Sequence, residues 1–129
     1  MIPARERLAA VQAESLRFEV PVTPVPKARP RIVNGHAYTP RRTSDFERAV
    51  AACALEARAR AGWDMLEGPV TVDMTFVRLR ANADVDNAVK AVLDAVRGVL
   101  FRDDRQVVGV AAWIERAGPP GVIVEVMPL

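Results

Sequence analysis

This 129-residue sequence has one cysteine, one histidine and no long apolar run. With Cys53 alone, no intrachain disulfide framework can form, and a reducing cytosol is the expected compartment. A zinc site built from His and Cys ligands of one chain is excluded on the same count. No apolar stretch approaches the roughly 18 residues a membrane-spanning helix requires. The opening Met-Ile-Pro-Ala-Arg-Glu-Arg puts charge where a secretory signal would be apolar. Lysine is nearly missing too: of 18 basic residues only Lys27 and Lys90 are lysine. The bias reads as genome composition, yet it marks the two positions, because a compact ammonium is not interchangeable with a rigid guanidinium fork.

What is present is an ordinary globular balance, 50% apolar and 26% charged, in a length that suits one domain. The net charge of +2 is unevenly spread. Residues 1–64 carry 11 basic and 7 acidic side chains, and residues 65–129 carry 7 and 9. From Lys27 to Arg42 there are five cations (Lys27, Arg29, Arg31, Arg41, Arg42) and no acid. Such a stretch suits a polyanion, and it also reads as a solvated basic loop.

Residues 4–16 have helix propensity with a thin apolar stripe, so residues 1–15 are expected to be a peripheral N-terminal extension to a domain over 16–129. Residues 16–22 alternate as a strand with one covered face does, and prolines 21, 24, 26 and 30 then force an extended edge or loop. Asn34-Gly35 between β-prone runs predicts a hairpin. Ser44-Asp45-Phe46-Glu47 has capping-box form and opens a helix that Gly62 stops, with Cys53 on its apolar face as an inert thiol. Residues 70–77 alternate as a strand, and a second helix is expected over Asp86 to Arg97 with Val89, Val92, Leu93 and Val96 inward. Strands over 106–115 and 122–127, joined by Gly118-Pro119-Pro120-Gly121, close an α+β fold with two helices on a mixed sheet.

The chemistry concentrates in Asp84-Val85-Asp86-Asn87-Ala88-Val89-Lys90-Ala91-Val92-Leu93-Asp94. Two aspartates at i and i+2 straddling an extended approach and a helix N-cap can face one point, where their repulsion invites a cation. Capping and solvation alone also account for such a pair. Lys90 and Asp94 follow Asp86 at successive turns, as a solvated helix edge with an Asp86–Lys90 ion pair would. Asp103-Asp104 adds two more carboxylates in a short link, and carboxylate oxygens suit Mg²⁺ or Mn²⁺ rather than zinc or copper.

The run Asp84-x-Asp86-Asn87-x-x-Lys90-x-x-x-Asp94-Ala95, then Gly98-Val99-Leu100-Phe101-x-Asp103-Asp104-x-Gln106-Val107, resembles the RusA family of Holliday junction resolvases. Val25-Pro26-Lys27-Ala28-Arg29-Pro30-Arg31 and Tyr38-Thr39-Pro40 resemble that family's N-terminal signature. The resemblance implies a homodimeric, Mg²⁺-dependent endonuclease (Mn²⁺ substituting) that nicks four-way junction DNA in recombination and repair. It implies Asp84, Asp86 and Asp104 as metal-binding catalytic carboxylates, Asp103 as an auxiliary and Lys90 beside them. Lys27, Arg29, Arg31, Arg41 and Arg42 are then expected on phosphates, and Val108, Val110 and Trp113 at a dimer interface or in the core. A non-catalytic branched-DNA-binding module, or a nuclease for other branched DNA, remains the alternative.

Overall fold

The computed structural model describes residues 14–129. The extension over residues 1–15, with its expected helix, lies outside them except at its end, where Glu14 and Ser15 are not helical and Leu16 opens a strand. The elements are β1 (Leu16–Val20), β2 (Arg31–Val33), β3 (His36–Tyr38), α1 (Arg41–Ala61), β4 (Val70–Val77), α2 (Val85–Val96), a single 3₁₀ turn (Asp104–Gln106), β5 (Val107–Glu115) and β6 (Gly121–Pro128).

Four strands form the main sheet in the order β1-β6-β4-β5. β6 runs antiparallel to both β1 and β4, whereas β5 runs parallel to β4, with α2 in the connection between them. β5 and β6 are consecutive in sequence, but β4 lies between them, so the Gly118–Gly121 link is a crossover and not a hairpin turn. Glycine is required at its end: a Cβ on Gly121 would sit 2.9 Å from the Val20 carbonyl oxygen. The central strands bury one face completely, with Val72, Met74, Phe76, Val124 and Val126 on it, while Thr71, Thr75, Ile123 and Glu125 on the other face are only half-buried. α1 packs on β1 and α2.

α1 begins at Arg41, three residues before the expected cap. Pro40 is its N-cap, with no side-chain cap bond, and the Ser44 hydroxyl donates back to the Arg41 carbonyl at 3.2 Å. Starting earlier buries Thr43 in line with Phe46, Val50 and Ala54. Gly62 ends the helix in the left-handed region as expected (φ 69°). In the separate β2–β3 hairpin, Asn34 and Gly35 both take positive φ (52° and 77°), as a two-residue turn of this kind demands. Among the described residues, no helix is long and apolar enough to cross a membrane.

Candidate functional site

α2 and its N-cap carry most of the candidate residues, and the sequence of the helix explains its orientation. Ala88, Ala91, Val92, Ala95 and Val96 are buried, which turns Asp86, Lys90 and Arg97 outward along the opposite side. Asp84 is the N-cap in extended conformation (φ −75°, ψ 129°), and its carboxylate makes no capping bond. Asp86 sits in the first turn, where the partial positive charge of the helix N-terminus favours an anion. Both carboxylates are exposed, and neither has a hydrogen-bond or ion-pair partner among the described residues. The expected Asp86–Lys90 pair is absent. Lys90 Nζ lies instead 3.9 Å from Asp94 Oδ2.

Asp94 is not the solvated residue that its spacing suggested. Its side chain is 15% exposed and sits among three cations: Lys27 Nζ at 3.2 Å, Arg97 Nη1 at 3.7 Å and Lys90. Lys27 also donates to Glu47 Oε1 of α1 at 2.6 Å, and its own side chain is 19% exposed. Burial lowers the Lys27 pKa, but the hydrogen bonds and charges of Glu47 and Asp94 outweigh it and leave the group raised. Lys27 therefore departs from the other cations expected on phosphates: its ammonium is committed to two carboxylates inside the fold.

Asp103 caps the 3₁₀ turn and Asp104 opens it, and each is held by an arginine. Asp103 accepts from the Arg105 side chain at 2.9 Å and from its backbone N–H, which brings the carboxyl down to about 2. Gln106 Oε1 accepts from the Asp103 N–H at 3.0 Å, completing a reciprocal cap. Asp104 Oδ2 accepts from Arg97 Nη1 at 2.8 Å. Asp104 is thus tethered at the C-terminal end of α2, while Asp84 caps its N-terminus. Twelve helical residues separate those ends, about 18 Å at the usual rise per residue. Among the described residues, no three carboxylate, imidazole or thiol groups lie together as a metal-binding set. The cage expected from Asp84, Asp86, Asp103 and Asp104 is not assembled within one chain, because α2 is a spacer between its halves. The donors fit a hard cation in kind, all being carboxylate oxygens.

A groove of about 540 Å³ is lined by Arg29, Arg31, Arg41, Arg42, Arg78 and Arg80, with Tyr38 beside them and no acidic residue. Four of these arginines lie in the basic stretch, while Arg78 and Arg80 follow the end of β4 and are not singled out by the sequence. Arg78 adopts φ 63°, donating its N–H to the Glu115 carbonyl and Nε to the Gly118 carbonyl at 2.6 Å. The available signal was the Arg78-Leu79-Arg80 run directly after a strand, two further cations with no acid between them. Arg29, Arg31, Arg42 and Arg80 have no carboxylate partner among the described residues. The groove and the Asp84–Asp86 lip are neighbours along the chain: Arg80 precedes Asp84 by four residues, and the Lys27 N–H donates to the Asn87 carbonyl at 2.8 Å.

His36 is exposed beside the hairpin turn, and Phe101 is fully buried in the core. Cys53 is partly buried, and burial followed by the nearby Glu56 charge pushes its thiol pKa up, away from nucleophilic character. Val108, Val110, Trp113 and Ile114 are exposed on β5, the edge strand.

None of the curated proteins compared with the chain matches it. A family model described as Endodeoxyribonuclease RusA matches residues 21–127, which include the arginine groove, α2 and the Asp103-Asp104 turn. With that match extending over most of its length, the chain belongs to the RusA endodeoxyribonuclease family.

Proposed function

We propose that this protein is a divalent-metal-dependent endonuclease that resolves four-way DNA junctions by paired nicks, as a homodimer, in cytoplasmic recombination and repair. The observation that carries this reading is the juxtaposition of two exposed, unpartnered carboxylates, Asp84 and Asp86, with an acid-free groove of six arginines. Carboxylates beside so many guanidinium groups pair with them by default. Two that stay unpaired at one helix end suit a cation and a phosphate together.

In this reading Asp84 and Asp86 hold Mg²⁺ or Mn²⁺, and Asp103 and Asp104 complete the donor set. The bound ion supplies an activated water and polarises the scissile phosphate. Lys90, exposed one turn from Asp86, contacts that phosphate and offsets its developing charge. Arg29, Arg31, Arg41, Arg42 and Arg80 grip the flanking backbone, giving affinity with little sequence information. Tyr38 offers a stacking face at the groove wall.

Dimerisation follows from two features. A junction is two-fold symmetric, so paired cuts need two sites related by an axis. If both donor halves serve one ion, their places at opposite ends of α2 call for a second copy to bring them together. The exposed apolar side chains of β5 offer such an interface, Trp113 being 56% exposed.

The test is a synthetic four-way junction incubated with the protein and Mg²⁺, beside a flap and a linear duplex. Symmetric nicks confined to the junction are expected, leaving a 5′-phosphate and a 3′-hydroxyl that ligase can seal. Tight junction binding without cutting in Mg²⁺, Mn²⁺ or Co²⁺ would leave a binding module only. Preferential cutting of the flap would reassign the substrate.

A further inference from the structure

Lys27, Glu47 and Asp94 form a half-buried charge cluster between the helices that itself touches no reacting group in the proposed function. The chain's two lysines, both among the described residues, converge on one oxygen, Asp94 Oδ2, at 3.2 Å from Lys27 and 3.9 Å from Lys90. Lys27 also reaches Glu47 of α1, and its N–H donates to Asn87 in the first turn of α2. One residue of the proline-rich segment is therefore fastened to both helices at once. Side-chain exposures of 19%, 21% and 15% for Lys27, Glu47 and Asp94 put these bonds largely out of water, where charge-assisted contacts hold their geometry. A lysine suits the place: a point ammonium can bridge two carboxylates from different helices, whereas a planar fork pairs best with one.

From this geometry we infer that Lys27 and Asp94 are positioning residues: their ion cluster with Glu47 latches the arginine-bearing segment to α2, fixing the spacing between the phosphate grip and the Asp84–Asp86 lip. Asp94 does so from the last turn of α2, restraining Lys90 on one side and Lys27 on the other. Lys27 accordingly contributes no phosphate contact. Arg29, two residues on, projects into the groove, while Lys27 anchors the segment that presents it. The catalytic consequence rests on the function proposed above, but the latch itself does not.

The experiment compares wild type with Lys27→Met, Lys27→Arg and the charge swap Lys27→Glu/Glu47→Lys. Amide exchange over residues 24–31 and 84–88 is read in the free protein, together with junction affinity against salt and kcat at saturating junction. For Lys27→Met the latch predicts faster exchange in both segments and an unchanged salt slope, with kcat down about tenfold or more through misplacement of the reacting groups. The swap should recover protection and part of kcat, which a phosphate-contacting Lys27 could not do. Should Lys27→Met fail to fold, Lys27→Arg decides: the latch predicts faster exchange and reduced kcat, and a phosphate contact predicts wild-type values. A salt slope lower by about one in Lys27→Met, with exchange and kcat unchanged, would overturn the inference. If wild type cuts no branched DNA, the proposed function fails, and the exchange data still decide the latch.

Discussion

Asp94 and the pair Asp84 and Asp86 are the same chemical group on or beside the same helix, yet their surroundings differ completely. Asp94 is largely withdrawn from water and surrounded by Lys27, Lys90 and Arg97. Asp84 and Asp86 are exposed, with no partner among the described residues. The first arrangement stabilises the fold, since carboxylates left half-buried without cations would be heavily penalised. The second contributes little to the fold and leaves oxygen lone pairs available to a ligand. Under the proposed function the contrast separates structural acid from functional acid along one helix and its cap, and it can be tested by substituting each.

The largest expected effect is on chemistry at the lip. Asp84→Asn and Asp86→Asn should each lower junction cleavage by at least about 100-fold, as loss of a main charge-stabilising element does. Stability should stay within about 0.5 kcal/mol of wild type, as for other exposed sites, and junction affinity should hold. A cleavage assay beside thermal unfolding reads both, and a variant that cuts normally would erase the distinction. Asp94→Ala should invert the pattern, destabilising the fold by about 2 kcal/mol in urea titrations. That is less than a fully buried pair would lose, because water still reaches part of the cluster. No loss of stability would make Asp94 a surface acid after all.

A smaller effect sharpens the basic side. Arg29→Ala with Arg31→Ala should flatten the salt dependence of junction binding by about two log–log units, and Arg80→Ala by about one, near 0.9 per phosphate contact. An unchanged slope would place the DNA away from the groove. The smallest effect is a titration. Asp103, held by the Arg105 side chain and backbone, should titrate at about 2 by carbon-detected NMR. Its folded pKa lies below the ordinary 3.8, so its contribution is present above that value and lost as pH falls through about 2. Arg105→Ala should move the titration back up, and a carboxyl that stays near 2 would require another cause.

Local pattern carried much of this architecture. The alternation over Val70–Val77 is the strand observed and Asn34-Gly35 makes the hairpin, whereas of the expected α2 stripe Val92 and Val96 are buried and Val89 and Leu93 only partly, the face being completed by Ala88, Ala91 and Ala95. Sheet order was not readable, because β6 inserts between β1 and β4 through pairings that have no local signature. α1 starts early because Thr43 gains burial, which a capping motif at Ser44 does not report. In the site, helical spacing placed Asp86, Lys90 and Asp94 on one edge but could not show that Glu47 and Lys27 come from elsewhere to cover its far end. The short link likewise put Asp103 and Asp104 between helix and strand without revealing that Arg97 holds Asp104 at the C-terminal end of α2. Charge partners between distant segments are tertiary facts, and the errors fall there.

The most direct test of the account is Mn²⁺ binding, followed by electron paramagnetic resonance, in wild type, in Asp84→Asn/Asp86→Asn and in Asp94→Asn. Bound Mn²⁺ is predicted for wild type and for Asp94→Asn, with the signal of free ion returning in the double variant. Undiminished Mn²⁺ binding without Asp84 and Asp86 would contradict it.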